Sequence, residues 1–326
     1  MEDPPIDLSF ALLCLFFTGY QLENPLALKF TTLSYQVPES DPPVYVHGPD
    51  DVYFVAFWVI AFTFIRAFAM EYIFKALARY NRITTPDKTQ RFCEQCWSVL
   101  YYSASWSLGM YIMYHSDYWL DTRHFWIGYP HKQLSGLFKF YYLSQIGFWI
   151  QQIFVLHVEK RRRDYVEMFV HHILTNTLLI ASYYTNFVRI GHAVLCIMDV
   201  ADIFLCSAKA FRYIQMQALC DVLFGLFVIV WFATRHGLFL VIGHSVMTEP
   251  EQYNPYLWDP DNGIYYTHEV RYMFIGLMGL LQVVLLIWAY FIVKVLYRVL
   301  TGNNAHDNRS DSEDISEPET VAKKVA

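Results

Sequence analysis

Residues 164–213 read DYVEMFVHHILTNTLLIASYYTNFVRIGHAVLCIMDVADIFLCSAKAFRY. Two apolar segments of helical length are joined by a short polar turn near Thr185–Asn186, so they are expected to be neighbouring antiparallel helices. The first carries the adjacent pair His171–His172, and the second carries Asp199 and Asp202. His171 lies seven positions after Asp164, and Lys209 lies seven positions after Asp202. At about 1.5 Å per residue, histidines and aspartate lie roughly 10 Å in from the same, basic end of the pair. Ionisable side chains at that depth are costly, and they mark a functional site unless they only join helices.

The spacing sharpens this expectation. Asp199, Asp202, Cys206 and Lys209 fall three, four and three residues apart and form one helical stripe. His172, Thr175, Asn176, Leu179 and Tyr183 share a face of the other helix. Facing polar stripes can satisfy one another, here through His–Asp hydrogen bonds. A histidine oriented by a carboxylate can act as general base or as nucleophile, while the carboxylate fixes its tautomer and stabilises the imidazolium that forms. Adjacent histidines project about 100° apart on a helix, an awkward arrangement for one ion, so no metal is expected.

Working outward, 55% of the 326 residues are hydrophobic and the mean hydropathy is +0.24, high for a soluble chain of this length. The expected fold is an all-α polytopic membrane bundle of about seven to eight transmembrane helices. Spans are placed at roughly 52–74, 94–114, 135–157, 165–184, 188–207, 221–244 and 272–298, after a marginal segment Leu8–Tyr20. Acids rather than bases precede that first segment, which argues against a cleaved signal peptide. Alternating segments of strand length are absent, so a barrel is not expected. Lys and Arg cluster in the loops at 75–91, 160–163 and 209–212, whereas Ser245–Val270 has none. Those three loops and the C-terminus are therefore expected in the cytosol. Arg66 and Arg235 fall in mid-span and are expected to face the bundle. Three parts follow: an N-terminal helix and lumenal loop (1–51), a transmembrane bundle (52–300), and an acidic tail (301–326) expected to be disordered. Half of the net charge of −6 lies in that tail, where Ser310, Ser312 and Ser316 are candidate phosphorylation sites and Lys323–Lys324 resembles a dilysine retrieval signal. The one Cys93-x-x-Cys96 has no second pair to complete a zinc site, and no basic block is large enough to imply nucleic acid.

The run Asp164-Tyr165, Met168-Phe169, His171-His172, Thr175, Ser182-Tyr183, Asn186, Arg189, Gly191, Asp199, Asp202, Ala208-Lys209 and Tyr213 closely resembles the signature of ceramide synthases. These are membrane acyltransferases of the TLC-domain class. The resemblance covers about Asn24 to Tyr297 and is to the fungal branch, since the insert of animal relatives has no counterpart near residues 80–93. Met198 and Cys206 stand where many animal relatives have histidine and glutamate. The resemblance implies a TLC-type core in the endoplasmic reticulum membrane. It also implies transfer of a long- or very-long-chain acyl group from acyl-CoA, a co-substrate, to the amine of a sphingoid base, with no bound cofactor. The implied catalytic residues are His171, His172, Asp199 and Asp202. The implied substrate-facing residues are Thr175, Ser182, Tyr183, Asn186, Arg189 and Lys209; Asn176, from the His172 face, and Arg235, from its mid-span position, are added as candidates to line the substrate path or to pair within the bundle. Arg161–Arg163, Lys209 and Arg212 would meet the CoA phosphates. The lumenal loop Ser245–Val270 is implied in acyl-length selection, and homo- or hetero-oligomers with related subunits are implied as assemblies. A non-catalytic TLC-type protein that binds lipid or assists translocation is the rival, though such relatives tend to lack the paired histidines and aspartates. A proton-relay transporter would carry inverted repeats, which this sequence lacks.

Overall fold

The computed structural model describes residues 4–159 and 164–301. Its helices are α1 (Pro4–Gln21), α2 (Pro25–Thr31), α3 (Asp51–Tyr80), α4 (Pro86–Tyr114), α5 (Gly136–Val158), α6 (Tyr165–Tyr184), α7 (Val188–Tyr213), α8 (Gln217–Thr248) and α9 (His268–Leu300), besides shorter turns. Two small antiparallel ribbons join them: β1 (Val44–Tyr45) with β2 (Leu134–Ser135), and β3 (Leu257–Asp259) with β4 (Ile264–Tyr266). The expected disorder and phosphorylation of the tail, the dilysine pair and Arg161–Arg163 lie outside the described residues.

Helices begin where the chain supplies caps. Asn24 Oδ1 accepts from the backbone N–H groups of Leu26 and Ala27 to start α2, Pro86 stands in the first turn of α4, and Ser135 Oγ accepts from Phe138 N–H to start α5. The polar first turns of α4, including Asp87, Lys88 and Arg91, hide its start from a hydropathy reading, which places the span only from residue 94.

Four described helices, α3, α7, α8 and α9, are long and apolar enough to cross a membrane. The pair α1–α2, bent by 118°, makes a fifth if counted as one span. Helices occupy all eight predicted segments, but composition alone supports fewer crossings than seven or eight. The reason is internal polarity: α4, α5 and α6 carry Glu94, Gln145, Gln151, His172 and Asn176, all buried in the bundle. α1 runs antiparallel to α3, with Phe10 beside Phe64 and Phe16 beside Phe57.

α5 forms the centre. Residues 141–149 are buried without interruption, on every face of the helix, as expected for one enclosed by others. At one end, here called the mouth end, Ala78, Ile83 and Phe92 pack against Ala210, Tyr213 and Ile214. At the opposite, hairpin end, Lys139 is wholly buried; its Nζ lies 2.7 Å from Asp51 Oδ1 and donates to the carbonyls of Ser34 and Val46. Trp126 Nε1 donates to Ser245 Oγ, and Tyr129 Oη to the carbonyl of Thr185.

Where α5, α6 and α7 meet, Tyr142 Oη and Ser182 Oγ share a 2.5 Å hydrogen bond directly over Gly191. A Cβ there would stand 1.9 Å from the Tyr142 oxygen. Gly191→Ala is therefore expected to force the helices apart, costing about 1–3 kcal/mol. The check is the unfolding temperature of the detergent-solubilised protein; an unchanged value would refute the close approach.

Candidate active site

One elongated cavity runs between α3, α4, α5, α6, α7, α8 and α9. Its lining along α6 extends from Asp164 to Ser182, about 27 Å of helix. Polar groups crowd the mouth end. Arg66 donates to Glu159 there, Arg91 Nη1 lies 3.0 Å from Glu94 Oε2, and Glu94, Asp164 and Lys209 line the wall.

Deeper in, His171, His172, Thr175, Asp199, Asp202 and Arg235 line the same cavity. The full predicted stripe of α7, Asp199, Asp202, Cys206 and Lys209, faces it too. The two imidazoles flank Trp149, each with a ring centroid 5.6 Å from the indole, and lie 5.7 Å from one another. His171 also meets Trp288 edge-on at 5.2 Å. Neither Nδ1 has a hydrogen-bond partner, although both atoms are buried.

The expected His–Asp hydrogen bonds are not formed. Instead, Asp199 Oδ2 accepts from Ser105 Oγ at 2.8 Å, and Asp202 Oδ2 accepts from Arg235 Nη2 at 2.9 Å. The physical reason is competition: Ser105 on α4 and Arg235 on α8 occupy these carboxylate oxygens, while the imidazoles pack against Trp149 and Trp288. Arg235 Nη2 donates as well to the carbonyl of Met198 at 2.7 Å, and its guanidinium stacks 4.0 Å from the Trp231 ring centroid. Its Nη1 is buried without a partner, on a residue that lines the cavity. Arg235 sits in a π-helical turn, Ala233–Leu238, the kind of local irregularity often found at functional sites.

Beyond this layer the lining becomes apolar, with Phe239, Met278 and Leu281. At the hairpin end Tyr266 and Arg271 complete the wall. Arg271 donates to Glu251, to Tyr256 Oη and to the carbonyl of Met247. The Tyr256 hydroxyl and then Arg271 hold the Glu251 carboxyl below its ordinary pKa.

Of the predicted substrate-facing residues, Thr175, Ser182, Lys209 and Arg235 line the cavity. Asn176, Tyr183, Asn186 and Arg189 are placed elsewhere, each engaged by the scaffold. Asn176 Nδ2 donates to the carbonyls of Trp149 and His172, locking α6 to α5. Tyr183 Oη donates to Asp51 Oδ2 at 2.8 Å. Asn186, in the left-handed turn at φ 62°, donates to the carbonyl of Gly263. Arg189 Nη1 donates to the carbonyl of His124 and its guanidinium packs over Tyr118. Sequence reasoning misses Ser105, Trp149, Glu159 and Trp288, which lie far apart in the chain and share no local pattern with the double histidine.

An enclosed helical bundle with two histidines and two aspartates lining an apolar channel defines the class, and the family model described as the TLC domain, of the TRAM, LAG1 and CLN8 proteins, matches residues 91–294. The sphingosine N-acyltransferase lag1 of Schizosaccharomyces pombe is 43% identical over 291 residues, covering 89% of this chain and 74% of that one. The ceramide synthase LAG1 of Saccharomyces cerevisiae is 36% identical, over 93% of this chain and 75% of its own. Ceramide synthase 5 of Homo sapiens is 32% identical, over 74% and 59% respectively. The chain belongs to the TLC-domain family, in its sphingosine N-acyltransferase branch.

Proposed function

We propose that this protein is a ceramide synthase that transfers the acyl group of a long- or very-long-chain fatty acyl-CoA to the amine of a sphingoid base. The observation that carries the proposal is the placement of His171, His172, Asp199 and Asp202 around one channel, polar at its mouth and apolar beyond, in a member of this branch. The amine nitrogen attacks the thioester carbonyl carbon, the new C–N bond forms and the C–S bond breaks. An imidazole takes the proton from nitrogen and returns it to the departing thiolate, so the products are amide and CoA thiol. A histidine that first accepts the acyl group and passes it to the amine gives the same balance. Arg235, a cavity-lining residue whose buried Nη1 has no hydrogen-bond partner, is assigned to the charge that develops on the thioester oxygen. Lys209 at the mouth is assigned to the CoA phosphates, and Thr175 and Ser182, about 5 and 15 Å farther along α6 than His172, to the wall along which the substrate chain lies.

The reading extends to placement. All eight helical segments are taken as crossings, with the mouth end cytosolic, where acyl-CoA is met, the hairpin end lumenal and the C-terminus cytosolic, in the endoplasmic reticulum membrane. On this reading residues 52–300 are the catalytic unit, 1–51 an N-terminal helix and lumenal loop, and 301–326 a tail. Purified protein incubated with dihydrosphingosine and acyl-CoAs of several lengths should yield ceramide by mass spectrometry; no amide product from any acyl-CoA would refute the activity.

The acyl tail points from the histidines toward Val246, Tyr266 and Phe274, which line the hairpin end. Exchanging Ser245–Val270 for the corresponding loop of a relative with other acyl preference is expected to alter the length distribution of the ceramides more than the total rate. An unaltered distribution would remove that loop from chain-length selection.

A further inference from the structure

We propose that Ser105 and Gln145 are positioning residues for the acyl transfer, holding Asp199 in its working orientation through a one-way chain of hydrogen bonds; this role rests on the function proposed above. Tyr101 Oη donates to Gln145 Oε1 at 2.8 Å, Gln145 Nε2 donates to Ser105 Oγ, and Ser105 Oγ donates to Asp199 Oδ2 at 2.8 Å. All four side chains are buried.

The direction of each link follows from donor and acceptor chemistry. With Asp199 ionised, the form that stabilises an imidazolium, the carboxylate oxygen only accepts, so the single Ser105 proton is committed to it. The serine oxygen can then only accept from Gln145, which must turn its amide N–H₂ toward it and its carbonyl toward Tyr101. The tyrosine proton completes the chain. Its ring is held by stacking on Phe148 with centroids 3.3 Å apart, so the far end is anchored in packed core. Every dipole in the series points toward the carboxylate, and in a low-dielectric interior such links reinforce one another.

Location separates this chain from the substrate. Asp199 lines the cavity, whereas Tyr101, Ser105 and Gln145 do not. They stand behind the carboxylate on α4 and α5, which are packed against α7, and can act on the reaction only through it. Occupying Oδ2 from behind leaves Oδ1 for the cavity, while Asp202 Oδ2 accepts from Arg235.

The test compares parent protein with Ser105→Ala, Ser105→Thr, Gln145→Leu, Asp199→Asn and the doubles Ser105→Ala/Asp199→Asn and Ser105→Ala/Gln145→Leu. All are assayed at equal amounts of monodisperse protein with dihydrosphingosine and palmitoyl-CoA. Losing a hydrogen bond to a charged group predicts that Ser105→Ala lowers kcat by about 10–100-fold, with both KM values within about 2-fold. Ser105→Thr, which keeps the hydroxyl, should retain activity within about 3-fold of the parent, a rescue that a role in packing alone would not give. Residues acting as one unit are non-additive, so Ser105→Ala should deepen the loss in the Asp199→Asn or Gln145→Leu background by less than about 2-fold. A Ser105→Ala loss that carries over undiminished into either background, or that falls on KM instead of kcat, overturns the role. A parent protein that makes no ceramide overturns the function itself and this role with it.

Discussion

His171→Ala and His172→Ala are each expected to lower ceramide formation by about 10²–10⁴-fold at equal amounts of folded protein, the usual loss on removing a proton-transfer or nucleophilic group from a water-poor site. Both imidazoles line the cavity, and neither Nδ1 is engaged by the scaffold, so the rings are held by packing on Trp149 and Trp288 and keep their nitrogens for other partners. Asp199→Asn and Asp202→Asn should cost nearly as much, because each keeps shape and removes the charge that an imidazolium needs nearby. The measurement is product formed per folded molecule after size-exclusion chromatography. Variants that fold well and retain near-parental turnover would remove the double histidine from the chemistry. Variants that merely fail to accumulate would point instead to a role in joining helices.

Asp51→Ala is expected to be the most damaging single change outside the cavity, costing about 3–5 kcal/mol of stability, because it strands a buried cation. Lys139 is wholly buried and relies on Asp51 for its countercharge, with the Ser34 and Val46 carbonyls completing its shell. The same carboxylate accepts from Tyr183 Oη and from the backbone N–H of Gly48, so its loss unties α3, α5, α6 and the loop before α3 together. The double change Asp51→Leu/Lys139→Met removes both charges and should recover much of the loss, since an apolar pair of similar volume avoids desolvation. Thermal unfolding in detergent distinguishes the outcomes; an Asp51→Ala protein as stable as its parent would refute the dependence.

These two regions differ in how far the chain announces them. The double histidine and the Asp199–Asp202 stripe are legible because helical periodicity and depth are local properties, and both faces do meet in one cavity. Periodicity fails along α6 and α7 toward the turn. Asn176 and Tyr183 share a face with His172, and Asn186 and Arg189 belong to the same signature, yet the scaffold captures all four. A helix face is about 100° or more wide, so neighbours on it can serve different partners. Ser105, Gln145 and Lys139 are invisible for another reason: their partners lie 94, 40 and 88 residues away in the chain, and nothing in a single sequence records such pairings. Composition supports four or five crossings rather than the expected seven to eight because polar residues of α4, α5 and α6 turn inward, and hydropathy cannot tell a side chain that meets lipid from one that meets another helix.

The π-helical turn of α8 has a geometric consequence. Phe227 and Phe239 both line the cavity, 1% and 2% exposed, yet they are twelve residues apart. In an unbroken α-helix that interval would place them about 120° apart around the axis, so one would face lipid. The wider turn at Ala233–Leu238 takes up the drift, and the inward row resumes in phase with Ile242 and Val246, both buried. Residues in such a turn act as a phase correction: they let a straight helix keep one side to a straight channel without the supercoiling that a strict heptad pattern would impose. Deleting one residue there would restore regular winding and leave these two positions eleven residues apart, about 20° around the axis, so the inward row would survive without the turn.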